Sequence, residues 1–160
     1  MKAHSGYGPD SGCRPTFGYV KLNGDTVWES AWCNNGKPPC LTGVNILLVD
    51  HLTCSKQEWR RFDTHNNAAA STELRNYLQQ VGEGIIVGVS GGDIVAQMQP
   101  IGLTALKSIG VDVSNLQYRG SVGFVAQKTV LQKTLTEAQS NVNPPHFTHR
   151  VFTQGANYSS

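Results

Sequence analysis

The chain has 160 residues, 39% of them hydrophobic and 15% charged, with a formal net charge of +2. That length suits one domain able to bury roughly 70% of the surface its unfolded chain would expose. So small a charge, with 13 scattered basic residues and Arg60–Arg61 their one adjacent pair, argues against a nucleic-acid surface. Apolar runs of about five residues, against the roughly 20 of a membrane span, argue against insertion into a bilayer.

Residues 1–16 are rich in Gly, Ser and Pro and read as a tail, with residues 17–160 as the single domain. Phe17–Glu29 reads as a hairpin turning at Asn23-Gly24, a pair that takes the positive φ angles of a type I′ turn. After a loop from Ser30 to Thr42, the run Val44, Ile46, Leu47, Leu48 and Val49 predicts a buried strand. Lys56–Phe62 predicts a more polar, half-exposed partner. Asp63 is placed to cap the next helix or to hold its entry turn, in competition with Thr64, Asn66 and Asn67.

Leu74, Tyr77, Leu78 and Val81 recur at helical spacing, which predicts a helix over 68–81 ended by Gly82 in the left-handed conformation. Ile85–Val89 reads as a second buried strand stopping at Ser90-Gly91-Gly92. A shorter helical stretch is expected over 93–109, interrupted near Pro100 and closed by Gly110. Tyr118–Ala126 reads as a third core strand, 129–143 is ambiguous, and 146–153 alternates as an edge strand would. Strands, helix, strand, helix, strand and strand in that order make a mixed α/β sandwich in one piece.

The four cysteines, Cys13, Cys33, Cys40 and Cys54, lie in the first third of the chain. An even number in a turn-rich region suggests two disulfides, with three pairings open. One of these closes the short Cys33–Cys40 loop on itself and leaves Cys13 to reach Cys54. No Cys-x-x-Cys is present, and His146 and His149 would point to opposite faces of an extended segment, so no metal site is expected. Disulfides imply an oxidising compartment, and Asn157-Tyr158-Ser159 is a glycosylation sequon that fits secretion. Met1–Gly6 lacks the apolar core of a signal peptide, which leaves either a mature secreted, extracellular chain, the reading favoured by the cysteines, or a cytosolic protein with free thiols. Ser90-Gly91-Gly92-Asp93 is no nucleophile elbow, the carboxylates are scattered, and there is no phosphate loop or dinucleotide fingerprint. A protein without catalysis and without a cofactor is expected.

Six segments carry a further signal: Gly43–Val49, Arg61–Thr64, Tyr77–Val81, Gly84–Val87, Ala105–Gly110 and Tyr118–Val125. In this order they resemble the interleukin-like EMT inducer domain family, over about residues 17–128. The resemblance implies two facing, mostly antiparallel sheets flanked by two or three helices, with no active site. Members of that family act as secreted signals or as carbohydrate-recognition modules. In the stem domain of protein O-mannose N-acetylglucosaminyltransferase, sugar is held by three groups. They are an arginine before the glycine of the first core strand, an acid after the Gly-Ile-Ile-Val-like strand, and the arginine of a Tyr-Arg motif. The last corresponds to Arg119; Thr42 stands in place of the first arginine, and Gly91-Gly92 in place of the acid, with Asp93 beside them.

A pyranose offers hydroxyl pairs and an apolar face, so planar polar groups, close backbone and an exposed aromatic suit it. The expected carbohydrate contacts are Arg119, Asp93, Gly92 and the loop residue Trp32; Trp28 and Trp59 read as strand-packing residues. The expected function is a secreted stand-alone lectin whose partners are glycans or glycoproteins, homodimeric or larger because crosslinking needs multivalency. The alternative is a cytokine-like signal that binds a protein receptor.

Overall fold

The computed structural model describes residues 2–4, 19–22, 25–29, 41–50, 52–53, 55–91, 94–117, 120–128, 133–140 and 146–148. Nine strands and two helices occur among them: β1 Lys2–His4, β2 Tyr19–Leu22, β3 Asp25–Glu29, β4 Gly43–Val49, β5 Lys56–Phe62, α1 Ala70–Gln80, β6 Gly84–Gly91, α2 Pro100–Ser108, β7 Ser121–Lys128, β8 Lys133–Ser140 and β9 His146–Thr148. They build a four-stranded sheet in the order β3-β2-β1-β9 and a five-stranded sheet in the order β5-β4-β6-β7-β8. Every strand pair is antiparallel. This is the expected mixed α/β sandwich with facing sheets.

β4 is apolar except for Asn45 because both its faces are covered. Val44 and Ile46 pack with Phe62, Leu74, Leu78 and Phe124 in a core under the helices. Leu47 and Val49 point the other way and pack with Val20, Leu22, Ile85 and Val87 between the sheets. β6 repeats the alternation, with Ile86 on the helical side and Ile85, Val87 and Val89 on the sheet side. The five-stranded sheet is thus the middle of three layers. Its edge strands both carry register breaks, opposite Leu48/Val49 in β5 and opposite Val125/Ala126 in β8. Such bulges blunt an exposed edge against pairing with another chain.

Periodicity places the elements, whereas tertiary contacts set several of their ends. α1 ends at Val81, whose backbone leaves the helix at φ −55°, ψ 127°. Among the described residues the left-handed glycines are Gly43 and Gly110, so Gly82 does not end α1 in that conformation, whereas Gly110 does close α2 as expected. Lys128 takes over at the end of α1: its ammonium donates to Leu78 O at 2.7 Å, to Gln79 O at 3.2 Å and to Val81 O. One cation thereby satisfies three carbonyls left open by the last turn. The expected helical stretch over 93–109 shortens to α2, since proline has no N–H for a helix interior but suits the first position. The ambiguous 129–143 region contains β8, and of the edge strand expected over 146–153 the part His146–Thr148 is β9, while 149–153 lie outside the described residues. Lys2–His4, in the expected tail, pairs with both β2 and β9. Strands β2 and β3 meet at Leu22↔Asp25, the register of a two-residue turn, although Asn23 and Gly24 themselves lie outside the described residues.

Lys128→Met tests the cap. Loss of a charged donor from three carbonyls is expected to lower stability by about 1–2 kcal/mol. A urea midpoint unchanged from the native protein would show that solvent caps the helix equally well.

Candidate functional site

The register of the five-stranded sheet brings distant segments to one end. Gly43 pairs with Gly91 and Val89 with Gly123, so the start of β4, the end of β6 and the start of β7 share that end. Gly43 adopts φ +88°, and the main chain of Phe62–Thr64 runs against it closely enough that no Cβ fits. Asn45, buried in β4, donates to Leu41 O at 2.8 Å and Gly43 O at 3.3 Å, which holds the approach to Gly43 in place. Its Oδ1 is buried without a hydrogen-bond partner.

Around Thr42, at this end, four side chains form one network. Arg61 Nη2 donates to Thr42 Oγ1 at 2.7 Å, and its Nε donates to Thr42 O at 2.9 Å. Thr42 Oγ1 donates to Asp63 Oδ1 at 2.9 Å, while Arg61 Nη2 lies 2.7 Å from Asp63 Oδ2. Asn66 donates through Nδ2 to both Asp63 oxygens at 3.2 Å, and through its backbone N–H to Oδ1 at 3.3 Å. Asp63 therefore holds the entry turn and does not cap α1, whose N-cap Ala69 has no side-chain cap. Instead Asn67 Oδ1 accepts from Ala69 N at 3.0 Å.

Burial opposes the charge on Asp63, but hydrogen bonds from Asn66 and Thr42 and the Arg61 guanidinium outweigh it and hold the carboxyl below its ordinary pKa. A depressed carboxylate stabilises the fold fully above the unfolded pKa, near 3.8, and the contribution fades as pH falls through the lower folded value. The melting temperature of the native protein is expected to fall faster than that of Asp63→Asn between about pH 5 and about pH 3. Parallel melting curves would show that Asp63 carries none of the acid sensitivity.

A second polar surface lies between β5 and α1. It is a groove of about 340 Å³ lined by Arg60, Arg61, Phe62, Glu73, Asn76, Tyr77 and Gln80. Its floor is aromatic: the Phe62 and Tyr77 rings lie 5.4 Å apart at 44°. Arg60 sits with its guanidinium carbon 4.9 Å from the Tyr77 ring centre and its Nε 2.5 Å from Glu58 Oε1. Tyr77 donates to Glu58 Oε2 at 3.3 Å. Burial, followed by the neighbouring Glu58 carboxylate, pushes the Tyr77 pKa up to about 12, so the phenol stays a donor at physiological pH.

The residues singled out in sequence for sugar contact, Arg119, Asp93, Gly92 and Trp32, all lie outside the described residues, as do Cys13, Cys33, Cys40 and Cys54. In sequence, Gly92 and Asp93 directly follow the end of β6, and Arg119 precedes β7 by two positions. Trp59 sits in β5 opposite Leu47 but remains 37% exposed, because β5 is an edge strand. Sequence reasoning missed the Arg61–Thr42 contact and the β5–α1 groove. A signal for the groove existed in Glu73, Asn76 and Gln80, which share the polar side of α1, and in Arg60, which shares a face of β5 with Phe62.

Among the described residues no group of three or more His, Cys, Asp or Glu is arranged to hold a metal ion. No described helix is long and apolar enough to cross a membrane. No curated protein matches the chain. The profile of the interleukin-like EMT inducer (ILEI) family matches residues 42–129. That span starts at the Thr42 network, takes in β4 through β7 and both helices, and exceeds half of the 160 residues. The chain belongs to the interleukin-like EMT inducer family.

Proposed function

We propose that the protein is a secreted, non-catalytic carbohydrate-binding protein that recognises glycans or glycoproteins at the end of the five-stranded sheet. One observation carries this reading: Arg61 of β5 brings its guanidinium to Thr42, the position at which the family resemblance calls for an arginine. A neighbouring strand thus supplies the fork donor that position 42 lacks. Arg61 is 30% exposed, and its Nη1 has no partner among the described residues, so it can still donate to a sugar hydroxyl pair. Arg119 is the proposed second guanidinium, Asp93 the acceptor, Gly92 the point of close backbone approach and Trp32 the stacking face. A homodimer or larger assembly supplies the multivalency that crosslinking requires.

A glycan array combined with haemagglutination tests the reading, and absence of binding to every glycan at high protein concentration removes it. Arg61→Ala is expected to weaken binding to the strongest array glycan by roughly tenfold or more, the effect of losing a charged donor. Unchanged affinity in a folded variant would move the site away from Thr42.

The alternative, a cytokine-like signal read by a protein receptor, draws on a different feature. Leu52 is 66% and Trp59 37% exposed, and exposed apolar and aromatic side chains suit a protein interface. That reading requires saturable cell binding that survives enzymatic removal of surface glycans and is not competed by free sugars.

A further inference from the structure

The β5–α1 groove has the makings of a ligand site that no role in the fold accounts for. Glu73, Asn76 and Gln80 are exposed on one side of α1, and none of the three side chains hydrogen-bonds another described residue. Arg60 faces them across the groove. Its Nε is held by Glu58 and its planar face is backed by Tyr77, so the guanidinium is oriented before anything binds. Its two terminal nitrogens have no partner among the described residues, and no ion pair links it to Glu73. A donor fork and an acceptor carboxylate therefore confront one another across an open groove without neutralising each other.

The chemistry of the lining selects the occupant. Arg60 donates, Glu73 accepts, and the Asn76 and Gln80 amides do both, as a row of sugar hydroxyls requires. Beneath them the Phe62 and Tyr77 rings form a rigid floor. At about 340 Å³ the groove falls within the roughly 300–1,000 Å³ of small-ligand sites. Arg61 lines it as well, and Arg61 is also the residue bonded to Thr42 at the sheet end. The groove and the Thr42 network therefore share one residue, Arg61 of β5.

We infer that this surface binds an oligosaccharide of at least two linked sugars, one at the Thr42–Arg61 end and the next in the β5–α1 groove between Arg60 and Glu73, Asn76 and Gln80. The inference rests on the carbohydrate-binding reading and adds a second subsite with its own residues. It explains why three polar side chains with no hydrogen-bond partner among the described residues stand opposite a pre-positioned arginine.

The test uses the array glycan with the strongest signal, prepared as its one-, two- and four-sugar forms and titrated by calorimetry into the full chain. For the native protein, affinity is expected to rise about tenfold or more from one sugar to two. The triple variant Glu73→Gln, Asn76→Ala, Gln80→Ala changes only exposed side chains and is expected to abolish that rise. Lys107→Ala, an exposed change on α2 away from the groove, is expected to retain it. A native affinity that does not depend on length overturns the second subsite while leaving the lectin reading intact. So does a length dependence that survives the triple variant in a protein with native circular dichroism. Failure to bind any array glycan overturns both, and cell binding insensitive to glycan removal would assign the surface to a protein receptor.

Discussion

Gly43→Ala is expected to cost more than about 4 kcal/mol, enough to leave most of the chain unfolded or insoluble. Two effects add. The residue sits at φ +88°, a conformation that costs an L-residue with a Cβ roughly 1–2 kcal/mol. In addition the new methyl would lie 2.2 Å from Phe62 O, 2.7 Å from Thr64 N and 2.9 Å from Asp63 Cα. All three are backbone atoms. Phe62 is paired with Val44 in the sheet, and Phe62 O accepts from Thr64 N at 2.8 Å, so the obstructing chain has no easy way to move. Gly82→Ala is the matched control. No heavy atom lies within 4 Å of its Cβ position and its φ is not in the left-handed region, so it should be neutral or gain about 0.4–1 kcal/mol. Equal urea midpoints for the two variants would refute the close approach at Gly43.

Gly88→Ala is expected to lower stability by about 3 kcal/mol, the upper end of ordinary overpacking. Gly88 pairs directly with Phe124 across β6 and β7, and the outer end of the Phe124 ring lies where its side chain would be. A Cβ there would fall 2.0 Å from Phe124 Cζ and 2.2 Å from Cε1. The ring is fully buried among Ile46, Leu74, Ile86 and Leu106, so turning it away displaces the core beneath both helices. Phe124→Leu alone should also destabilise, by leaving part of the ring's volume empty. Combined, the two changes should cost less than their sum, since the smaller side chain leaves room for the new methyl. Strict additivity in a double-mutant cycle would show that ring and glycine do not meet.

These glycines mark where sequence reading reached its limit. In the sequence Gly43 borders one buried-strand pattern and Gly88 lies inside another. Neither position revealed that its missing side chain makes room for Phe62–Thr64 or for Phe124, because those neighbours arrive by strand pairing. Gly110, by contrast, follows a helical pattern directly, and its helix-ending role was legible. The same contrast holds at the end of α1. A glycine next to the helix drew the expectation of a left-handed stop, while the group that satisfies the carbonyls is Lys128, 50 positions beyond Leu78.

The site divides in the same way. Asp63 holding the entry turn before α1 was readable, because its partner Asn66 is three residues away. Arg61 of β5 and Thr42, just before β4, are separated by 19 positions, and Arg60–Arg61 read as ordinary solvated surface. Strand pairing and helix packing give the two different partners, Arg60 against Tyr77 of α1 and Arg61 against Thr42, while both line the β5–α1 groove.

The sequence by itself determined what depends on near neighbours. Its apolar alternation and helical spacing set the main strands, both helices and the mixed α/β class, and six short segments in order marked the family that the profile over residues 42–129 bears out. Tertiary structure alone decided which polar groups stand together. It placed a guanidinium from β5 on Thr42 and set Arg60 against Glu73, Asn76 and Gln80. The physical reason is that periodicity encodes the face a residue takes, whereas its partner is chosen by strand register and by how a helix packs across the sheet.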